Sequence, residues 1–198
     1  MTPSSPLDPR PIAPPHPLAS LLAERLRARP ATRVLDFCSG SGRNAAALRA
    51  AGFDVVEISD ADADSAEALS PAIGTFAAAV STHGLLHGTV AEITARISRI
   101  GDRLASDGLL YATFGSVRDA RFGTGRRIAA ATFAPLDGDE RSVAHSYFTR
   151  TELESLLQPR YDVEALDQNG VESVAGAWDH RRRALANAVH WFVIARRL

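Results

Sequence analysis

The feature that most constrains this chain is a strand-like segment that runs through small residues into a helix. Residues 34–48 read VLDFCSGSGRNAAAL. The apolar start predicts a buried strand, and the alanine-rich end predicts a helix from Arg43. Residues 38–42 between them carry no bulky side chain, and Gly40 and Gly42 permit positive φ angles and close approach of a ligand to the backbone. The turn therefore predicts either a tight connection without a ligand or a polar group bound at the helix amino terminus.

Strand and helix patterns alternate along the rest of the chain. The predicted strands are 32–37, 53–59, 76–81, 109–114, 161–166 and 190–195. The predicted helices are 17–28, 43–51, 62–70, 90–105 and 152–158, the last opened by a capping box at Thr151 and Glu154. This alternation predicts an α/β fold, with a doubly wound, mostly parallel, Rossmann-like sheet. Ligands of such sheets bind beyond the carboxyl ends of the strands, where the turn after residue 37 lies.

Composition narrows the class of protein. The 198 residues fit a proline-rich arm at 1–16, predicted to be flexible, followed by a single domain at 17–198. The formal net charge of −1 argues against a nucleic-acid partner. The chain has no apolar run near the roughly 20 residues that cross a membrane, so we expect no membrane partner. The one cysteine, Cys38, excludes an internal disulfide and is predicted to be inert. The first residues lack the basic-then-apolar order of a signal peptide, so a cytoplasmic location is expected.

The glycine turn carries a resemblance to a known family. Asp36, Gly40 and Gly42 occupy three positions of the pattern acid-x-Gly-x-Gly-x-Gly, and Cys38 replaces the first glycine. This pattern resembles motif I of class I S-adenosylmethionine-dependent methyltransferases. The Arg-Asn pair at 43–44 is similar to the tellurite-resistance-type branch of that family. Nicotinamide-binding turns have a different spacing, Gly-x-Gly-x-x-Gly, which argues against that cofactor.

The resemblance extends over roughly residues 30–198. Residues 76–87 resemble the family's fourth strand and the segment after it, and residues 106–110 resemble the turn into the fifth strand. Residues 115–148 resemble the lid that small-molecule methyltransferases of this branch place over their substrate. The resemblance implies S-adenosyl-L-methionine as cofactor. The implied cofactor-binding residues in the turn and after the strand at 76–81 are Asp36, Cys38, Ser39, Gly40, Gly42, Ser81 and Thr82.

The segment after the second predicted strand departs from the family. Residues 60–75 are too few for the usual helix, strand and helix, so the family's third strand is predicted to be missing or abbreviated. No acid near the adenine can then be carried over. The family places an acid that binds the ribose at the end of the second strand, and the register puts this position at Ser59. We favour the neighbouring Asp60 as the ribose-binding acid, while Glu57 lies on the same face of the strand. The acidic residues from Asp60 onward also fit a solvated turn that caps a helix.

Histidines supply the candidate acceptor-side groups. His145, in the predicted lid, and His83, after the strand at 76–81, are predicted to be catalytic as bases or positioning groups. His83 and His87 have the spacing of two metal ligands on a helix, but no HExxH-like glutamate accompanies them, so no metal site is predicted. His180 is predicted to lie at the surface, and His190 is predicted to be structural.

Two functions of different classes stay open at this stage. The first is transfer of a methyl group from S-adenosyl-L-methionine to a small-molecule acceptor. The alternative is a catalytically inactive methyltransferase-like protein with a binding or regulatory role, which the shortened segment motivates. The strand edge that the short segment leaves exposed could also pair in a homodimer.

Overall fold

The computed structural model describes residues 13–29, 32–138, 140–178 and 187–198. The described helices are α1 (Pro17–Leu26), α2 (Arg43–Ala50), α3 (Val90–Arg103) and α4 (Arg150–Leu157). The described strands are β1 (Arg33–Phe37), β2 (Asp54–Ile58), β3 (Phe76–Ser81), β4 (Leu104–Ser116), β5 (Arg126–Ala129), β6 (Thr132–Ala134), β7 (His145–Phe148), β8 (Tyr161–Gly170) and β9 (Val189–Arg197). His180, which was considered from the sequence, lies outside the described residues.

The main sheet has the predicted Rossmann-like organisation. Strands β2, β1, β3 and β4 are neighbours in that order and run parallel. Strand β9 pairs antiparallel with β4, and β8 pairs antiparallel with β9. Buried residues of α1 and α2 pack on one face, whereas those of α3 and α4 pack on the other. The prediction of a doubly wound, mostly parallel α/β sheet is confirmed.

The segment between β2 and β3 contains no strand in residues 59–75, all of which are described. The helix predicted at 62–70 is wrong, because this stretch forms consecutive turns followed by a short 3-10 turn at Pro71–Ile73. In this segment, side chains from elsewhere form hydrogen bonds with backbone groups that would be paired within a helix. Arg99 of α3 donates to the carbonyls of Ala63 and Ser65, and Arg96 forms an ion pair with Asp64. Strand β2 is consequently at the edge of the sheet.

The predicted lid at 115–148 is folded as a small ribbon rather than as an open loop. Strand β7 pairs with the end of β4 through Gly115–Tyr147 and Ser116–Phe148, and β6 and β5 follow as antiparallel neighbours. Buried Tyr147 and Phe148 fix this ribbon to the sheet. The ribbon therefore has a defined position beside the carboxyl end of β4.

Helix starts follow their capping residues. Thr89 and Glu92 form a capping box at the start of α3. Helix α4 begins two residues earlier than predicted, because Thr149 and Glu152, rather than Thr151 and Glu154, form its capping box. Among the described helices, none combines the length and apolarity needed to cross a membrane.

Candidate functional site

The turn after β1 combines three left-handed residues. Cys38, Gly40 and Gly42 have φ angles of 58°, 55° and 75°. The turn is held by two backbone bonds, in which Ser39 N–H donates to the Ile58 carbonyl at 3.0 Å and Gly42 N–H donates to the Ser39 carbonyl at 2.9 Å. A Cβ placed on Gly40 would meet no atom within 4 Å. The Gly40 backbone therefore faces open space at the carboxyl edge of the sheet.

Cys38 occupies the position of the missing first glycine at a conformational cost. A non-glycine residue at positive φ is strained by roughly 1–2 kcal/mol. The side chain of Cys38 packs directly against Gly84. Any larger residue at position 84 would clash, because its Cβ would lie 2.2 Å from the Cβ of Cys38. Gly84 thus makes room for the cysteine. Burial raises the pKa of the Cys38 thiol, in agreement with its predicted inertness.

A pocket of about 200 Å³ opens over this turn. Its lining comes from the turn, the start of α2, the end of β2 and the segment after β3. The lining residues are Cys38, Ser39, Gly40, Ser41, Arg43, Asn44, Asp60, Thr82, His83, Gly84 and His87. Five residues predicted from the sequence to bind a cofactor are among them, namely Cys38, Ser39, Gly40, Asp60 and Thr82.

The other predicted cofactor-binding residues do not line this pocket. Gly42, Ser59 and Ser81 are not among its lining residues, and the Ser59 hydroxyl donates to Asp62 at 2.6 Å. Asp36 is 1% exposed, and neither of its carboxylate oxygens has a hydrogen bond of ordinary geometry to a described residue. Burial and the nearby charge of Glu57 raise the pKa of Asp36 to about 7.

Comparison with solved structures identifies the architecture. No protein-family model and no curated protein matches the sequence. A methyltransferase of Methanosarcina mazei described as SAM-dependent has a TM-score of 0.67 and 18% identity, over 97% of this chain and 99% of its own. The 1,6-didemethyltoxoflavin-N1-methyltransferase of Burkholderia thailandensis has a TM-score of 0.62 and 20% identity, over 91% and 76%. TehB from Haemophilus influenzae has a TM-score of 0.55 and 11% sequence identity, over 89% of this chain and 61% of its own.

The chain has the class I methyltransferase fold. In this fold the pocket over Gly40 lies beyond the carboxyl ends of β1 and β3, next to the topological switch between them. The residues that carry the sequence resemblance, Asp36, Gly40 and Gly42, lie at the end of β1 and in the turn after it, at the same edge of the sheet as this pocket.

Arg43 and Asn44 secure the amino-terminal segment against this methyltransferase-like core. The Arg43 guanidinium donates to the carbonyls of Pro14 and Gly176 at 2.8 and 2.6 Å. Asn44 accepts from the backbone N–H of His16 at 2.9 Å and donates to Thr82 Oγ1 at 2.8 Å. The predicted flexible arm at 1–16 thus ends in a packed segment, because His16 is fully buried. Residues 1–12 lie outside the described part of the chain.

One group of aromatic rings adjoins the pocket. The ring centroid of His83 lies 6.1 Å from that of His16 and 5.4 Å from that of His190. Phe192 and Trp178 extend this group. Burial lowers the pKa of both His16 and His190 to about 3, so both rings are neutral at pH 7. His83, which is predicted to be catalytic, therefore lines the pocket while its ring lies against these two neutral rings.

A second histidine group lies on the other side of the pocket. The ring centroids of His87 and His145 are 4.9 Å apart. The Glu140 carboxylate contacts the Nε2 atoms of both rings and also forms an ion pair with Arg121. Burial alone would lower the pKa of His87, but Asp60 and Glu140 together raise it above its ordinary value. The His87 imidazole in turn lowers the pKa of Asp60. His145 is 1% exposed and does not line the pocket over Gly40.

Several contributors to the site were not recognised from the sequence. The Arg-Asn pair at 43–44 was noted only as a family resemblance, although it secures the arm. Glu140 precedes His145 by five positions in a polar stretch, which was the one available signal for it. His16 gave no signal, because only the tertiary structure brings it to Asn44 from 28 positions away.

Proposed function

We propose that this protein is an S-adenosyl-L-methionine-dependent methyltransferase that acts on a small-molecule acceptor. The observation that carries the proposal is the open backbone face of Gly40 in a pocket at the carboxyl edge of a class I methyltransferase fold. The M. mazei protein of this fold is described as SAM-dependent, and the B. thailandensis enzyme was solved with S-adenosylhomocysteine and 1,6-didemethyltoxoflavin. Both support a cofactor and a small acceptor of this kind.

The residues of the pocket fit the polar parts of this cofactor. The bare backbone at Gly40 leaves space that a side chain would fill. Asp60, at the end of β2, would accept hydrogen bonds from the ribose hydroxyls. The buried Asp36 carboxyl and the Ser81 hydroxyl behind the turn lack hydrogen-bond partners of ordinary geometry among the described residues, which leaves polar capacity next to the pocket.

Methyl transfer needs alignment and exclusion of water more than it needs a strong catalytic group. S-adenosyl-L-methionine supplies a methyl group on a sulfonium when bound. The packed segment around His16, held by Arg43 and Asn44, would shield one side of the pocket. His83 and His87 reach the pocket itself, so they would contact the acceptor. His145, predicted as a base or positioning group, would then act through His87, whose ring it contacts.

The test is calorimetric titration of the full chain with S-adenosyl-L-methionine and with S-adenosylhomocysteine, together with thermal melting. We expect saturable binding of both and an increase in Tm that grows with ligand concentration. Absence of heat and of any Tm increase at millimolar ligand would contradict the proposal.

The second candidate is a methyltransferase-like binding or regulatory protein without transfer activity. The pocket of about 200 Å³ is smaller than the roughly 300–1,000 Å³ typical of small-molecule sites. Residues 59–75 also supply no further strand to extend it. Binding of S-adenosylhomocysteine without methyl transfer to any member of a panel of thiols, phenols and amines would favour this candidate.

The predictions about cellular location and partners are part of the same proposal. A cytoplasmic location is supported by the single buried free cysteine. The net charge of −1 supports an absence of nucleic-acid partners, and the lack of an apolar run of about 20 residues supports an absence of membrane partners. The position of β2 at the sheet edge supports pairing of two chains in a homodimer.

A further inference from the structure

We propose that His87, Glu140 and His145 form a binding site for one divalent transition-metal ion of the zinc type. One ligand atom from each of the three residues lies within 4.8 Å of the other two. His87 Nε2 is 3.4 Å from Glu140 Oε1, and His145 Nε2 is 3.1 Å from Glu140 Oε2. From the sequence no metal was predicted, and the histidines considered as ligands were His83 and His87. In the structure the ring of His83 contacts that of His190, and the ring of His87 contacts that of His145.

The backbone holds the two histidines side by side before any ion binds. His87 and His145 form an antiparallel bridge between two segments that are distant in sequence. Gly88 N–H donates to the Ala144 carbonyl at 2.7 Å, and Ser146 N–H donates to the Leu86 carbonyl at 3.0 Å. Preorganised ligands lose little conformational entropy when an ion binds.

The ring of His145 is oriented so that Nε2 faces Glu140. His145 Nδ1–H donates to the Val143 carbonyl at 2.9 Å, because a carbonyl can only accept. Nε2 is then the ring nitrogen that can bind a metal ion, and it lies 3.1 Å from Oε2 of Glu140.

The same arrangement is the usual support of a metal-binding histidine. Such histidines donate their second ring N–H to a backbone carbonyl or a carboxylate. The Val143 carbonyl accepts this hydrogen bond from His145, and the Asp60 carboxylate lies 3.8 Å from Nδ1 of His87. Both rings therefore direct Nε2 toward Glu140 while Nδ1 faces an acceptor.

The distances of 3.4 and 3.1 Å from the two ring nitrogens to Glu140 fit a tetrahedral ion, and all three ligand atoms, within 4.8 Å of one another, would close around it. Zinc–nitrogen and zinc–oxygen bonds of about 2.0–2.2 Å place neighbouring ligand atoms roughly 3.3 Å apart. Two histidines and one glutamate with an open fourth position are a known zinc ligand set. Arg121 donates to Glu140 Oε2 at 2.9 Å, whereas Oε1 is the carboxylate oxygen that lies 3.4 Å from His87 Nε2. The ion would lie beside the pocket over Gly40, because His87 lines both.

The test uses the full chain, free of any affinity tag and stripped of metal by a chelator, without S-adenosyl-L-methionine. Calorimetric titration with Zn²⁺ should show one ion per chain with a dissociation constant below about 1 µM. Titration with Co²⁺ should produce visible absorption bands typical of a four-coordinate site, which Zn²⁺ then removes.

The Glu140→Gln variant keeps the size of the side chain and should weaken Zn²⁺ binding at least 10-fold, as should His145→Ala. Asp60→Asn, beside His87 Nδ1, should weaken binding about 10-fold. The matched control is Glu154→Gln, because Glu154 is also paired with an arginine, at 3.2 Å, yet lies on α4 away from the site. Its Zn²⁺ affinity should equal that of the unmodified chain.

Three results would overturn the metal site. They are no binding of Zn²⁺ at 100 µM, a stoichiometry other than one, or equal affinities of Glu140→Gln and Glu154→Gln. Thermal melting of each variant separates loss of the site from loss of the fold, and Glu140→Gln decides if His145→Ala does not fold. Because cofactor titration is a separate measurement, the metal site and the proposed methyltransferase function can fail independently.

Discussion

Replacement of Gly40 by valine tests the proposed cofactor pocket most directly. Gly40 has a φ of 55° and open space at its Cβ position, so valine would project into the pocket without clashing with the protein. Gly52, at the far end of α2, offers a matched control, since its φ is 94° and its Cβ position is equally open. The two substitutions share the backbone strain and differ in what the new side chain faces.

The expected magnitudes follow from that comparison. A non-glycine residue in the left-handed region costs roughly 1–2 kcal/mol, which lowers Tm by about 2–8 °C in a chain of this size. We expect this fall in both Gly40→Val and Gly52→Val. A ligand that contacts the Gly40 backbone must move away from valine, and we expect Gly40→Val to lose at least about 100-fold in affinity for S-adenosylhomocysteine, or about 2.7 kcal/mol.

The assay is isothermal titration of the unmodified chain and both variants with S-adenosylhomocysteine, with thermal melting of each protein without ligand. Gly52→Val should bind as the unmodified chain does. The reasoning is refuted if Gly40→Val keeps its affinity, or if both variants lose affinity by the same factor, since the loss would then come from strain rather than from blocked space.

Three further predictions concern individual side chains. His145→Ala should lower turnover about 100-fold with little change in cofactor affinity; equal losses in both would indicate a structural role. Asp36 keeps its proton in the folded chain up to about pH 7 but releases it near 3.8 when unfolded, so stability falls as pH rises between those values, by roughly 4 kcal/mol at 1.36 kcal/mol per unit. The Tm of Asp36→Asn relative to the unmodified chain should therefore be higher at pH 8 than at pH 5, and a constant difference would argue against a raised pKa. Arg43→Met should lose about 3 kcal/mol in urea denaturation, since two backbone carbonyls lose a charged donor, whereas Arg160→Met, which breaks an exposed pair with Asp102, should lose about 0–1 kcal/mol; equal losses would show that Arg43 does not secure the arm.

Local patterns were sufficient for most of the elements. Apolar runs and periodicity located β1, β2 and β3 to within one residue at each end, and the apolar spacing from Val90 to Leu104 located α3. These elements are buried on the faces that their patterns indicate. The helix predicted at 62–70 failed, because Arg96 and Arg99 of α3 bind that segment and their contacts cannot be read from its own residues.

Part of the site also followed from the sequence. Gly40 and its neighbours were predicted at the pocket, because the conformation of a glycine turn and its place after a strand are local properties. The two predicted catalytic residues, His83 and His145, belong to different groups of rings. His83 lies against His190, and a backbone bridge between segments far apart in the chain places His145 beside His87.

The sequence by itself determined the positions of β1, β2, β3 and α3 and of the glycine turn, because these depend on residues within a few positions of one another. Only the tertiary structure decided that His16 packs against Asn44, that Glu140 meets two histidines, and that Cys38 is accommodated by Gly84. Contacts of this kind depend on how the sheet and its insertions pack, and the side chains concerned carry no periodic signal. The physical reason is that burial and charge at a site are set by neighbours in space, whereas backbone conformation is set largely by neighbours in the chain.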